Sequence, residues 1–323
     1  MTEQIVFLDP ITDRVAGKVQ ALLPPGFAIK VATERNVDHH KALISDADYA
    51  ISADIAVSED VFRAAKKLKL LHKWGVGIDN FDLDAARALN IKVARTTGSN
   101  AVPVAEFAIG LMIATQRRIA KGHFHLRQGG HWLKGEISSE SFMLSGKTVG
   151  IVGFGAIGQN VARMLAGFGC RILYYKPTRL DPAAEVALRA EYCDLGTLLA
   201  AADVVSLHCP LTPHTRGMIG RAELQTMKNS AILVNVARGG VVIEEDLIWA
   251  LRTGEIRAAA TDVFDVEPTP ADNPLLHMDN VVVTPHCAAL AVDNFDQTVL
   301  QMLHNITCVA EGRPIPEKDV VVG

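Results

Sequence analysis

The glycine turn at residues 149–158 constrains the fold most, because it has the pattern of a strand, a tight bend and a helix. An apolar strand precedes Gly153, Gly155 and Gly158, and a run with helical period follows them. In such a turn the first glycine permits the bend, the second lets the backbone approach a pyrophosphate, and the third lets helix and strand pack closely. The N–H groups at the helix start can then bind the phosphates. We predict a dinucleotide-binding site here; the alternative is a glycine-rich turn without a ligand.

Strand and helix patterns alternate along most of the chain, which favours parallel pairing in an α/β fold. The strand-like runs lie at 5–8, 48–57, 68–73, 91–94, 148–152, 171–175, 204–207, 231–236, 258–261 and 281–284. A long apolar helix is predicted at 102–118, an irregular arm at 122–146, and a last helix at 293–310 that packs back on the first domain. We therefore predict two Rossmann-like doubly wound domains. One comprises residues 1–99 and 290–323, and the other, which binds the dinucleotide, comprises residues 100–289.

Composition excludes several classes of function. The chain has 323 residues and a formal net charge of −4, so it lacks the basic surplus that nucleic-acid binding requires. Its five cysteines form no Cys-x-x-Cys pair, which argues against a disulfide framework and a metal site and favours a reducing, cytoplasmic compartment. We also expect no signal peptide and no membrane span, because no long apolar run is present.

The cofactor type depends on the residue that would meet the adenosine ribose, about 20 residues after the glycine turn. No Asp or Glu stands there: the second strand of this series is followed by Lys176 and, three residues later, by Arg179. A carboxylate repels a 2′-phosphate, whereas a cation attracts one. The sequence therefore favours NADP over NAD. The alternative is that Lys176 is a solvent-exposed turn residue beside an NAD site.

Three candidate catalytic residues, Arg238, Glu267 and His286, follow successive strands of the second series. Ligands of open α/β sheets bind beyond the carboxyl ends of the strands. A histidine can donate a proton near neutral pH, a neighbouring glutamate raises its pKa and fixes its tautomer, and an arginine binds a carboxylate bidentately. Taken singly, each is as well explained as a turn, a loop or a surface salt-bridge residue. Together, behind a dinucleotide turn, they predict reduction of a 2-keto acid.

The chain resembles the D-isomer-specific 2-hydroxyacid dehydrogenases from about residue 70 to residue 289. The matching motifs, in family order, are 75–80 (GVGIDN), the glycine turn, 208–212 (HCPLT), 235–240 (NVARGG), 262–268 (DVFDVEP) and 284–286 (TPH). Two departures stand out. Lys176 replaces a frequent acidic residue, which puts NAD preference in doubt, and the histidine is followed by Cys287-Ala288-Ala289, where Gly or Ser is common.

The resemblance implies roles for individual residues. Arg238 would bind substrate, His286 would be the acid/base, and Glu267 would be its partner. The first domain would be a flavodoxin-like substrate domain whose loop 73–77 presents N–H groups to the substrate carboxylate. Its substrate-binding residues would be Lys73, Trp74, Val76 and Gly77. Further cofactor contacts would come from Ala156, Ile157, Cys209, Pro210, Val236 and Asp262. Asp262 would face the nicotinamide carboxamide. Trp74 could equally be a core residue.

The family also implies a homodimer that associates through the dinucleotide domain, with segment 122–146 as the contact.

Within the family, we expect a glyoxylate- or hydroxypyruvate-type reductase. The alternative is a D-3-phosphoglycerate dehydrogenase, but segment 51–55 lacks the arginine those enzymes tend to use for the phosphate, and Asp54 would repel one. Lys73 could still meet a phosphate. The chain ends soon after its last predicted helix, so we expect no C-terminal regulatory domain. A formate substrate is disfavoured by the motif around the histidine.

An alternative of another class is a dinucleotide-sensing corepressor that binds peptides through its first domain. The complete set of three candidate catalytic residues favours an enzyme.

Overall fold

The computed structural model describes residues 2–323, and contacts divide them into two compact units. The first unit comprises residues up to Asn100 together with Ala291–Gly323, and the second unit comprises Ala101–Leu290. Within residues 2–323, no helix combines the length and the apolar composition that crossing a bilayer would require.

Strands and helices alternate in both units. The strands are β1 Glu3–Phe7, β2 Phe27–Val31, β3 Tyr49–Ser52, β4 Leu70–Lys73, β5 Lys92–Arg95, β6 Thr148–Val152, β7 Arg171–Tyr175, β8 Ala190–Tyr192, β9 Val204–Leu207, β10 Ile232–Asn235, β11 Ala258–Thr261, β12 Val281–Val283 and β13 Val320–Val322. The helices are α1 Asp13–Leu22, α2 Val37–Ile44, α3 Glu59–Ala64, α4 Leu83–Ala88, α5 Ala101–Gln116, α6 Ile119–Gly129, α7 Lys134–Glu140, α8 Ala156–Leu165, α9 Pro182–Leu188, α10 Leu195–Ala201, α11 Arg221–Thr226, α12 Glu244–Thr253 and α13 Phe295–Ala310. Short 3₁₀ helices lie at Ala166–Phe168, Gly239–Val241, Pro274–His277, Val292–Asn294 and Glu317–Asp319.

The first unit is a six-stranded sheet in the order β13-β5-β4-β3-β1-β2. Its pairings are parallel except for that of β13, which runs antiparallel to β5. Apolar side chains cover both faces, as a buried parallel sheet requires. Helix α13 buries Val299, Met302, Leu303 and Ile306 at helical spacing against this sheet. The last helix therefore packs within the first unit.

The second unit is a seven-stranded parallel sheet in the order β12-β11-β10-β9-β6-β7-β8. Strand β6 pairs with β7 on one side and β9 on the other. The chain runs outward from β6 through β7 and β8 and then returns to β9, so the strand order reverses beside β6. Ligands of doubly wound sheets bind at such a switch point. The glycine turn follows β6 and lies at this point. The architecture confirms the predicted α/β class with two parallel-sheet domains.

Four predictions about local structure are wrong. Segment 122–146 is not an irregular arm but contains most of α6 and all of α7. Its helical period is obscured by five glycines and three histidines. The other three errors are omissions: strands β2, β8 and β13 were not predicted. Each is an edge strand of its sheet, and none is buried along its whole length. Edge strands need fewer apolar residues, so their sequences carry a weak signal.

Candidate active site

The glycine turn after β6 is too tightly packed for side chains at two of its positions. A Cβ atom at Gly153 would lie 2.4 Å from the backbone nitrogen of Cys209, and Gly153 adopts φ +91°, which disfavours other residues. A Cβ atom at Gly158 would lie 2.5 Å from the carbonyl oxygen of Gly153. These close approaches are those that the sequence pattern predicts for the bend and for the packing of helix on strand.

The second glycine of the turn, Gly155, leaves space on the outer side of the turn. A Cβ atom at Gly155 would meet no protein atom within 4 Å, and Gly155 and Ala156 are exposed. Helix α8 begins here without a side-chain cap, so its first N–H groups are available to an anion. The open space and the uncapped helix start fit a dinucleotide pyrophosphate.

The other predicted cofactor residues follow neighbouring strands of the same sheet. Cys209 and Pro210 follow β9, Val236 follows β10, and Asp262 follows β11. Cys209, Val236 and Asp262 are buried, Ile157 is half-buried, and Pro210 is exposed. All of these segments therefore lie at the carboxyl edge of the sheet.

The two predicted 2′-phosphate residues have different surroundings. Lys176 is partly exposed directly after β7. Arg179 donates two hydrogen bonds to the Glu185 carboxylate, from Nε at 2.8 Å and from Nη2 at 2.7 Å. The Tyr174 hydroxyl also donates to Glu185, at 2.6 Å. These hydrogen bonds from Arg179 and Tyr174 lower the pKa of Glu185 to about 2. No pattern in the sequence predicts this pair.

The imidazole of His286 and the carboxylate of Glu267 form a hydrogen-bonded pair, with Nδ1 at 2.5 Å from Oε2. The other Glu267 oxygen accepts the Phe264 amide at 2.9 Å. The hydrogen bond that His286 donates to Glu267 raises the pKa of His286, although burial acts to lower it. Burial acts to raise the pKa of Glu267, but its hydrogen bonds from His286 and Phe264 outweigh burial and lower it. The pair favours a protonated imidazole held by an ionised carboxylate.

Arg238 lies within electrostatic range of this pair, since its positive charge lowers the pKa of both His286 and Glu267. Its loop is fixed by the buried Asn235, whose amide donates to the Arg238 carbonyl and accepts the Ala237 amide. The next residue, Gly239, approaches Phe264 so closely that a Cβ atom would lie 2.1 Å from its backbone. The structure thus brings the three predicted catalytic residues together.

The loop that carries His286 is held by Asp262. Its buried carboxylate accepts the Thr284 hydroxyl at 2.6 Å and the amides of Cys287 and Ala288 at 3.0 and 2.8 Å. The His286 amide donates to the Asp262 carbonyl at 2.8 Å. His286 adopts φ +50°, a conformation that costs a non-glycine residue about 1–2 kcal/mol. The Asp262 hydrogen bonds therefore stabilise a strained backbone beside the candidate acid/base.

The predicted substrate loop of the first unit is tied to its own domain. The Lys73 ammonium contacts the Ala53 carbonyl and lies 3.0 Å from Asn80 Oδ1. The Trp74 amide donates to Ser52, and the Gly75 amide donates to the Thr96 hydroxyl. The predicted residues Val76 and Gly77 follow directly in the same half-buried loop.

Trp74 packs between two aromatic rings of the first unit, with centroids 5.8 Å from Phe7 and 5.7 Å from Phe295. This is the core packing that was one of the two interpretations of its sequence. The side chains of Thr96 and Asn235 each hold a loop of their own unit by hydrogen bonds to its backbone. Neither was predicted as a site residue, because an isolated polar residue after a strand gives no specific signal.

Comparison with known proteins places these features in a family. A sequence model described as D-isomer specific 2-hydroxyacid dehydrogenase, NAD binding domain, matches residues 109–288. A hydroxypyruvate reductase of Thermotoga maritima is 41% identical over 253 residues, which are 77% of this chain and 80% of that protein.

Two further proteins are similar over most of this chain. A D-3-phosphoglycerate dehydrogenase of Methanocaldococcus jannaschii is 39% identical over 280 residues, 86% of this chain. The match spans 53% of that protein, or about half its length. An NAD-dependent formate dehydrogenase of Staphylococcus aureus, solved in complex with NAD, superposes with a TM-score of 0.87 at 28% identity and covers 100% of this chain and 99% of that one.

Proposed function

We propose, because this chain belongs to the D-isomer specific 2-hydroxyacid dehydrogenase family, that it is an oxidoreductase that interconverts a small 2-keto acid and its D-2-hydroxy acid with a nicotinamide dinucleotide. The observation that carries the proposal is the hydrogen-bonded pair of His286 and Glu267 with Arg238 in electrostatic range. A proton donor and a carboxylate-binding cation at the carboxyl edge of a dinucleotide sheet are the groups this reaction needs.

Each of the three candidate catalytic residues has its own role in the reaction. The dinucleotide, when bound, supplies or accepts the hydride. His286, whose protonated form is stabilised by Glu267, donates a proton to the substrate carbonyl oxygen during reduction and removes it during oxidation. Glu267 holds Nδ1, which leaves Nε2 of His286 for the substrate. Arg238 binds the substrate carboxylate through its guanidinium and polarises the neighbouring carbonyl.

We assign the cofactor to the second unit and the substrate-binding loop to the first. The second unit would hold the dinucleotide through Gly153, Gly155, Ala156, Ile157, Gly158, Cys209, Pro210, Val236 and Asp262. The uncapped start of α8 and the space beside Gly155 support this role. In the first unit, Val76 and Gly77 would offer amides to the carboxylate, with Lys73 and Trp74 beside them. The two preceding amides donate to the Ser52 carbonyl and the Thr96 hydroxyl, which supports a fixed loop geometry.

The proposed substrate is unphosphorylated, such as hydroxypyruvate or glyoxylate. The similarity to a hydroxypyruvate reductase supports this choice. The surroundings of Lys73 support it too, because its ammonium already contacts the Ala53 carbonyl and Asn80. D-3-phosphoglycerate dehydrogenase is a second candidate, since a relative of that name is 39% identical. A corepressor-like function has no comparable support, as the relatives described above bear the names of enzymes.

The proposed cofactor is NADP in preference to NAD, with Lys176 facing the 2′-phosphate. The absence of a carboxylate at the end of β7 supports this preference. We also propose a cytoplasmic homodimer that associates through segment 122–146. In this region Phe124, Trp132 and Met143 are 56%, 77% and 68% exposed, and a partner would cover such apolar side chains. Sedimentation of wild type and of Trp132→Ser with Met143→Ser would test the dimer, since these substitutions should yield monomers.

The experiment that tests the function is a turnover assay on the pure protein. Hydroxypyruvate, glyoxylate, pyruvate and 3-phosphohydroxypyruvate are each mixed with NADPH or NADH, and dinucleotide oxidation is followed by absorbance. We expect the highest kcat/KM with hydroxypyruvate or glyoxylate. A preference for 3-phosphohydroxypyruvate would favour the second candidate, and no oxidation with any 2-keto acid would refute the proposed activity.

A further inference from the structure

A buried cluster links the glycine turn to the end of β7. The Phe154 ring of the turn stacks on Tyr174 of β7, with centroids 4.2 Å apart and planes at 20°. The Tyr174 hydroxyl donates to Glu185 of α9 at 2.6 Å and accepts the Leu180 amide at 3.0 Å. These contacts fix the segment between β7 and α9, which carries Lys176 and Arg179. The adenosine ribose of a dinucleotide meets this end of the sheet.

Glu185 engages Arg179 along one edge of the guanidinium. Nε and Nη2 of Arg179 each donate to a different carboxylate oxygen, at 2.8 and 2.7 Å, which is the bidentate geometry of strong arginine–carboxylate pairs. The guanidinium also lies over the Tyr192 ring, 5.7 Å from its centroid. Three contacts therefore hold Arg179 in one orientation.

The charges of this pair cancel. The Glu185 side chain is buried although Arg179 is exposed, and the carboxylate stays ionised at neutral pH because Arg179 and Tyr174 lower its pKa to about 2. A 2′-phosphate carries negative charge, so it would be attracted by the guanidinium and repelled by the carboxylate behind it. Arg179 can thus add little net attraction for the phosphate while Glu185 is bound to it.

We propose that Glu185 is a specificity-determining residue that withholds Arg179 from the 2′-phosphate of the dinucleotide and leaves Lys176 as the residue that selects for it. The proposal rests on the proposed function only for the cofactor class. With Arg179 withheld by Glu185, the preference of this chain for NADP is weaker than Lys176 and Arg179 together would give. Removal of the Glu185 charge should release Arg179 as a second phosphate-binding cation.

The test is a double-mutant cycle read by binding rather than by turnover. The dissociation constants of NADPH and NADH are measured calorimetrically for wild type, Arg179→Gln, Glu185→Gln and the double variant. Glu185→Gln keeps the size of the side chain and an acceptor for Tyr174, and we expect it to raise the preference for NADPH about tenfold. Arg179→Gln alone should change that preference less than about twofold. The double variant should return to the wild-type ratio.

A similar arginine–glutamate pair at the start of β7 provides the control. Arg171, at the other end of β7, forms a bidentate pair with Glu191 at 3.0 and 2.6 Å. Glu191→Gln releases an equivalent arginine away from the ribose end and should leave the NADPH/NADH ratio unchanged. If Glu185→Gln does not fold, as judged by thermal unfolding, the Arg179→Gln arm still tests the proposal.

Two outcomes would overturn the proposal. If Arg179→Gln alone weakens NADPH binding about tenfold with NADH binding unchanged, Arg179 already binds the phosphate and Glu185 orients it. If Glu185→Gln folds and leaves the ratio unchanged, the pair has no role in selectivity. Both outcomes are independent of turnover, so a protein that binds dinucleotides but reduces no 2-keto acid would refute the proposed function without affecting this result.

Discussion

Nδ1 of His286 lies 2.5 Å from Oε2 of Glu267, and the two residues follow different strands of the same parallel sheet. The backbone of His286 is strained, with φ +50°, and the Asp262 carboxylate holds the loop around it. Strain of this kind persists where the surrounding structure fixes it, and it is concentrated at functional sites. The pair therefore has the features of a prearranged acid/base.

The pH dependence of turnover should follow the His286–Glu267 hydrogen bond. Reduction needs the protonated imidazole, so its rate should fall as pH rises through the raised pKa of His286. Glu267→Gln removes the hydrogen-bonding carboxylate and should move this falling limb to lower pH, with a lower maximal rate. The measurement is kcat/KM for reduction as a function of pH. An unshifted limb in Glu267→Gln would mean that Glu267 does not set the pKa of the catalytic acid.

The same pair should make stability depend on pH. Because the pKa of His286 is raised in the folded state, the pair stabilises the protein below the unfolded-state pKa of about 6.5, and this contribution disappears as pH rises through the folded-state pKa. Denaturant unfolding across this range should show the loss in wild type and not in Glu267→Gln. Equal pH dependence in both proteins would contradict the coupling.

Arg238→Lys should lower kcat/KM for 2-keto acids about 10- to 100-fold, because a lysine cannot bind a carboxylate with two parallel hydrogen bonds. Dinucleotide affinity should change little. Arg252→Lys, at an exposed position of α12, is the control and should behave as wild type. Steady-state kinetics with the preferred substrate are the measurement. Unchanged kcat/KM in Arg238→Lys would show that Arg238 does not bind the substrate carboxylate.

Two glycine substitutions in the same turn should affect different properties, one the dinucleotide affinity and the other the stability. Gly155→Ala adds a Cβ atom where no protein atom lies within 4 Å, so thermal stability should be kept while dinucleotide affinity falls about tenfold or more. Gly153→Ala places a Cβ atom 2.4 Å from the Cys209 backbone at φ +91° and should cost about 1–3 kcal/mol of stability. Thermal unfolding and dinucleotide titration separate the two effects. Wild-type dinucleotide affinity in Gly155→Ala would argue against a pyrophosphate beside that residue.

Lys176→Asp should reverse the preference between the two dinucleotides, because a carboxylate at this position binds the ribose hydroxyl and repels the 2′-phosphate. We expect NADPH affinity to fall about tenfold or more and NADH affinity to be kept or improved. Parallel titrations with both dinucleotides measure the change. If both affinities fall together, Lys176 serves the structure of the turn rather than cofactor selection.

The sequence predicted those parts of the fold and site that depend on strong local patterns. The glycine turn and the three candidate catalytic residues could be predicted because each follows an apolar strand, and parallel strands bring their carboxyl ends to one edge. Strands β2, β8 and β13 were missed because edge positions need little burial. The Arg179–Glu185 pair was missed because it depends on the path of the chain between β7 and α9, which residue type and spacing do not determine.

The most direct test of the account compares wild type with His286→Ala in the reduction of the preferred 2-keto acid. The account predicts that His286→Ala lowers kcat by ~10²–10⁴-fold, the usual contribution of a general acid, and leaves dinucleotide affinity and thermal stability close to wild type. Turnover within a few-fold of wild type in a folded, dinucleotide-binding His286→Ala protein would contradict it.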